Sequence, residues 1–196
     1  MATVAAPDVG LVPDWVIAEM PPGYQTRRLE IERLAAELHD MDAIARVLWE
    51  NGAALEAAAT AIFASLRCEV DPASGAGAPL SVHVDARHRL LVHVARDGGP
   101  IEKTSDDLTR AFQFVQYAGD RDRVVLVPGN EADAAPVRRA PAVQPDALKV
   151  LQRMGVNVLE PPALFRLWRL SFEDAPRART LLERLHTQDG GPFPVT

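Results

Sequence analysis

Two histidines, His83 and His93, stand in short runs where apolar and polar residues alternate. Leu80, Val82 and Val84 alternate with Ser81 and His83; Leu90, Val92 and Val94 alternate with Leu91 and His93. Pairing Val82 with Val92 in an antiparallel hairpin would make the two imidazoles diagonal neighbours on one face. Imidazoles suit zinc, copper or nickel, but two of them fall short of a metal site, even with Ser81 and Glu56 added. A hydrogen-bonded polar pair is the plainer expectation, and no metal is assigned. His39, His88 and His186 read as surface residues. Cys68 is the only cysteine, which excludes an intrachain disulfide and a Cys-rich zinc site; a small core residue is expected there.

Other chemistries lack their residues. Gly75 to Gly77 has no lysine of a phosphate loop, Gly98-Gly99 lacks the third glycine of a dinucleotide fingerprint, and no G-x-S-x-G elbow occurs. Arg138-Arg139 sits in a long loop, and Arg166, Arg169, Arg177, Arg179 and Arg184 fall near the C-terminus. Arg166 and Arg169 with Trp168 would make a basic strip with an aromatic plane for nucleic acid. A solvated helix face paired with Glu173, Asp174 and Glu183 is the favoured reading.

The elements that must position these residues follow from periodicity. Residues 1–23 carry Pro7, Pro13, Pro21 and Pro22 and read as a flexible tail. Residues 24–50 read as one amphipathic helix. Ile31, Leu34, Leu38, Met41, Ala45 and Leu48 recur at alternating steps of three and four, a heptad seam suited to pairing with a second copy. Asn51-Gly52 should end that helix. Residues 51–187 read as one α/β domain: a helix with Leu55, Ala58, Ala59, Ile62, Phe63 and Leu66 inward, a strand near Cys68, and a Gly/Pro loop. The hairpin follows, turning at 85–88. A helix capped at Thr104 or Ser105 comes next, with Leu108, Ala111, Phe112 and Val115 inward. Arg123 to Pro128 is a near-continuous apolar run, the mark of a strand covered on both faces. Helix, strand and two further helices complete the domain, and residues 188–196 read as a tail. A hairpin followed by strand–helix–strand crossovers implies a mixed central sheet flanked by helices.

Bulk properties agree with an ordinary globular chain. The apolar fraction is 47% and the net charge −6, so nucleic-acid binding is not favoured, because neutralising phosphates needs a basic field. No run approaches the roughly 18 apolar residues of a membrane span. The first twenty residues carry no Lys or Arg and are interrupted by Asp8, Asp14 and Glu19, unlike a signal peptide; a cytoplasmic location is expected.

Leu48-Trp49-Glu50-Asn51-Gly52, then Leu55-Glu56 and Leu66-Arg67-Cys68-Glu69-Val70, resemble a recurrent bacterial segment that leads from a coil helix into a restriction endonuclease-like domain of the PD-(D/E)xK class. The resemblance covers roughly residues 24–170. It implies an acid opening the second core strand, and an acid and a lysine two apart on the third, holding Mg²⁺ and positioning water. Here Pro79 stands near the first acid's place, and His93 and Ala95 replace the acid and the lysine. Imidazole suits Mg²⁺ poorly and alanine offers no donor. The leading expectation is therefore a catalytically degenerate domain without cofactor, acting as a dimeric interaction or regulatory module with an unidentified protein partner. The alternatives are a divergent Mg²⁺ nuclease built from Glu56, Asp85 and Lys103, and a non-cleaving nucleic-acid binder using Lys103, Arg110, Arg166 and Arg169.

Overall fold

Aliphatic residues at every second position between Leu80 and Val94 build the centre of the sheet in the computed structural model, which describes residues 16, 19–71, 78–131 and 134–195. Most of the tail expected at 1–23 lies outside the described residues, as does most of the Gly/Pro loop at 72–79. The chain divides into two units, Met1–Met41 and Asp42–Thr196.

In the first unit, helix α1 (Tyr24–Ala45) begins; it is continuous across the division. Its surface is stitched by ion pairs Arg28–Glu32 at 3.0 Å and Arg33–Glu30 at 2.6 Å, with Arg33 also bonded to Glu37. The helix stops at Ala45 rather than near Trp49, and Arg46–Leu48 tightens into a 3-10 turn.

The second unit is a three-layer α/β domain. Helix α2 (Gly52–Ser65) leads into strands β1 (Glu69–Asp71), β2 (Leu80–His83) and β3 (Arg89–Val94). Then come α3 (Asp106–Tyr117), β4 (Asp122–Val127), α4 (Pro145–Arg153), β5 (Asn157–Val158), α5 (Pro161–Glu173), α6 (Ala175–Thr187) and β6 (Gly191–Pro192). The sheet order follows the chain, β1 to β6. β1, β2 and β3 pair antiparallel, and β3 to β6 pair parallel. The expected mixed sheet with flanking helices is thus present.

Local chemistry accounts for the helix ends. Pro145 and Pro161 open α4 and α5, where a missing N–H costs nothing. The Asp174 carboxylate caps α6 by accepting from the Arg177 N–H at 2.9 Å. Asn51-Gly52 does not end the first helix, as expected from sequence, but starts the next: Asn51 stands at the N-cap and Gly52, at φ +57°, opens α2.

The two faces of the sheet have separate cores. Leu80, Val82, Leu90, Val92, Val125 and Val127 pack under α2, α5 and α6. Leu91, Ala95, Val124, Leu126 and Val158 pack under α3 and α4. Phe112, expected inward on α3, is 48% exposed; Phe114 packs partly buried in its place. Cys68 is buried, as expected, and burial pushes its thiol pKa up. The segment read as a C-terminal tail holds β6, and Phe193 and Val195 lie buried in the first core.

Candidate functional site

Strand β3 carries His93, and Ala95 follows directly after its last residue. Period-two alternation sends Leu90, Val92 and Val94 to one core and Leu91, His93 and Ala95 to the other. Ala95 is completely buried. His93 is buried too, with Nε2 2.8 Å from Oδ1 of Asp107 in the first turn of α3. The Phe114 ring stands edge-on to the imidazole at 5.6 Å. The face is filled and covered. The half-buried Asp107 carboxylate gives the buried His93 imidazole its polar partner, which is what burial of such a group demands. Pro79, half-buried, directly precedes Leu80 at the start of β2.

The two histidines of the hairpin do not meet. Leu80 pairs with Val92 and Val82 with Leu90, a register two residues away from the expected one. His83 therefore lies opposite Arg89, and its Nε2 sits 3.1 Å from Oδ2 of Asp71 on β1. Each imidazole has its own carboxylate.

At the far end of the hairpin the charges close on one another. Asp85 accepts from the Arg87 and His88 backbone N–H groups at 2.7 and 2.9 Å, and its Oδ2 lies 2.8 Å from His88 Nδ1. Hydrogen bonding to the His88 ring, then to the Arg87 N–H, lowers the Asp85 carboxyl to about 2. Arg89 grips Asp122 through two bonds of 2.8 Å, and that contact lowers the Asp122 carboxyl as well. Both groups have folded pKa values below an unfolded aspartate near 3.9. Their stabilisation is fully present above pH 4 and is lost as pH falls towards 2. Urea unfolding midpoints should fall across that window, and less steeply in Asp85→Asn; an equal slope would show that this turn carries none of the acid sensitivity.

A second polar knot sits past the C-terminal ends of β3 and β4. Asn130 is buried; its Nδ2 donates to the carbonyls of Val47 at 2.9 Å and Glu50 at 2.7 Å. Asn51 exchanges a pair of bonds with the Asn130 backbone, at 3.1 Å and 2.5 Å. Arg139 donates to Asn130 Oδ1 at 2.6 Å, to Ala134 O at 2.9 Å and to Leu48 O. Beside this knot a crevice of about 500 Å³ opens, walled by Pro100, Pro136, Pro141 and Pro161 with Glu131 and Glu160 among its lining. Clefts at the carboxyl ends of parallel strands are common ligand sites. Here the guanidinium that would meet an anion is already spent on three acceptors within the chain.

The nuclease candidates are not brought together. Glu56 lies one turn into α2, whose first residue, Gly52, abuts the Arg96 carbonyl beyond the C-terminal end of β3. Asp85 lies beyond the opposite end, and the strand between Arg89 and Ala95 spans about 20 Å. Lys103 is exposed and pairs with Asp146 at 3.5 Å. Among the described residues, no group of three or more His, Cys, Asp or Glu is arranged to hold a metal ion.

The nucleic-acid candidates are also dispersed. Arg110 on α3 is half-buried, with Nη1 lacking a partner. Arg166 and Arg169 line a shallow surface crevice with Glu173 and Arg177, and Arg169 lies 3.8 Å from Glu173. Trp168 offers no exposed plane: it is buried, with the Phe165 and Phe172 rings each 5.2 Å away.

The seam divides. Ile31, Leu34, Leu38 and Met41 are 61, 44, 62 and 42% exposed. Ala45 is half-buried, and Leu48 packs against the domain's own core. Sequence reading missed Asp107 as the partner of His93, because its place near a helix N-terminus already explained it. It also missed Asn130 and Arg139; a Gly-Asn step directly after a buried strand was the available signal.

Fold and site together define a three-layer α/β protein whose third strand carries a buried histidine paired with a half-buried aspartate. No protein-family model matches the chain, and no match is found to a curated protein or a solved structure. Among the described residues, no helix is long and apolar enough to cross a membrane.

Proposed function

We propose that this chain is a non-cleaving member of the restriction endonuclease-like class that acts as an interaction module, pairing with a second copy through α1. The observation that carries the reading is the row of apolar side chains on α1, each more than two-fifths exposed. A contiguous apolar stripe of that kind marks an interface more often than a bare surface. The helix–strand order α2-β1-β2-β3-α3-β4, antiparallel then parallel, agrees with that class. His93, Ala95 and Pro79 in place of acid, lysine and acid remove the oxygen donors and the amine that cleavage needs.

Sedimentation or light scattering should find the full chain as a dimer. Leu34→Asp with Leu38→Asp should leave the circular dichroism spectrum that of a folded domain while weakening association at least ~100-fold, since each leucine contributes about 1.5–3 kcal/mol when covered. A wild-type monomer at every concentration would overturn the reading. So would Mg²⁺-dependent cleavage of DNA by the purified chain.

A further inference from the structure

We infer that the two copies of α1 run antiparallel; this rests on the self-association proposed above. Residues 24–33 carry Arg27, Arg28 and Arg33 against Glu30 and Glu32, whereas residues 34–45 carry Glu37, Asp40 and Asp42 with no Lys or Arg. Each helix is thus basic at its start and acidic at its end. That is the wrong way round for its own dipole, which favours acids at the N-terminus and bases at the C-terminus; the first turn holds no acid and the last no base. An isolated helix gains nothing from this distribution. Two helices laid head to tail gain twice, because each acidic end meets the partner's arginines and the two dipoles oppose.

The heptad frame gives the same answer at single positions. With Ile31 and Leu38 at a, and Leu34 and Met41 at d, the flanking e positions are Arg28, Ala35 and Asp42, and the g positions are Glu30 and Glu37. In a parallel pair, Glu37 at g faces the partner's Asp42 at e, an acid against an acid. In an antiparallel pair, Ile31 faces the partner's Met41, and Leu34 faces the partner's Leu38. Arg28, which also pairs with Glu32 of its own helix, then meets the partner's Asp42 on one flank, twice by symmetry, and Ala35 meets its own copy. On the other flank Glu37 meets its own copy once, against two Glu37–Asp42 contacts in the parallel pair; Arg33 of the same helix holds Glu37 in either geometry, so the distinction rests on Arg28 and Asp42. Asp40 and Asp42 form no ion pair among the described residues, so Asp42 is available to a second chain.

Asp42→Arg separates the geometries by sign. In the antiparallel pair it sets arginine against arginine and should weaken the dimer roughly tenfold, with Arg28→Asp in the same chain restoring it. In a parallel pair it would relieve a repulsion and tighten the dimer. Spin labels on Thr26→Cys give a second reading in the full chain: about 30 Å of axial separation if antiparallel, against roughly 10 Å if parallel. Tightening by Asp42→Arg, or the short distance, would overturn the antiparallel arrangement and leave the dimer standing. A monomer with no label coupling would remove both.

Discussion

Gly129→Ala should lose at least ~4 kcal/mol of domain stability, the largest effect expected from any single methyl group added to this chain. A Cβ at this position would lie 2.1 Å from the Asp97 carbonyl oxygen and 3.0 Å from Asn51 Oδ1. The first contact is with backbone, so no side-chain rotation relieves it. The strand end must shift, and Asn130 is the next residue. Its bonds to Val47, Glu50 and Asn51 are buried or partly buried, and each one broken leaves groups that water reaches poorly, at about 1–3 kcal/mol apiece. Thermal unfolding should fall by about 10 °C, taking 2–4 °C per kcal/mol for a domain of this size. Gly99→Ala is the control. Gly99 sits at φ +120° with nothing within 4 Å of an added Cβ, so only backbone strain is introduced, about 1–3 kcal/mol. Equal losses from the two substitutions would show that crowding at Gly129 is relieved elsewhere.

Removing residues 191–196 should destabilise the domain by about 5 kcal/mol. Phe193 and Val195 are buried in the core under α2, α5 and α6. Their loss opens a cavity in that core, where a phenylalanine alone contributes about 3–5 kcal/mol. Two backbone bonds go with them: Gly191 N–H to Val156 O and Phe193 N–H to Val158 O, both 2.8 Å. Phe193→Ala should reproduce most of the loss in urea unfolding. A truncated chain that unfolds at the wild-type midpoint would return this segment to the tail it resembles in sequence.

What was legible in the sequence was parity rather than position. Alternation placed Leu91, His93 and Ala95 on one face and Leu90, Val92 and Val94 on the other, and the structure agrees. A two-residue slip of the hairpin keeps every side chain on its face, so the pattern is blind to it. The register is decided by the turn, where Asp85 gathers the Arg87 and His88 N–H groups and Val84 N–H closes on His88 O at 2.9 Å. That small difference separates His83 from His93 and dissolves the apparent metal pair. Residues 188–196 misread for a different reason. Pro192 and Pro194 hide a period-two burial of Gly191, Phe193 and Val195. In the seam, heptad spacing continues through Ala45 and Leu48, but spacing cannot say whether the covering surface belongs to the same chain. Leu48 is covered by its own domain, whereas Ile31, Leu34, Leu38 and Met41 stay exposed. The Asn51–Asn130–Arg139 knot was not legible, because its members lie up to 91 residues from the groups they bond.

The outermost strands have a consequence for assembly. β1 is three residues long, with exposed Glu69 and Asp71; β6 is two residues long and contains Pro192. Carboxylates on one margin of the sheet repel a like margin, and proline on the other has no N–H to offer a new neighbour. Open-ended stacking of sheets from molecule to molecule is therefore blocked at both borders. In the proposed pairing through α1, the apolar stripe is used up by one matching helix, which gives a finite pair instead of a fibre.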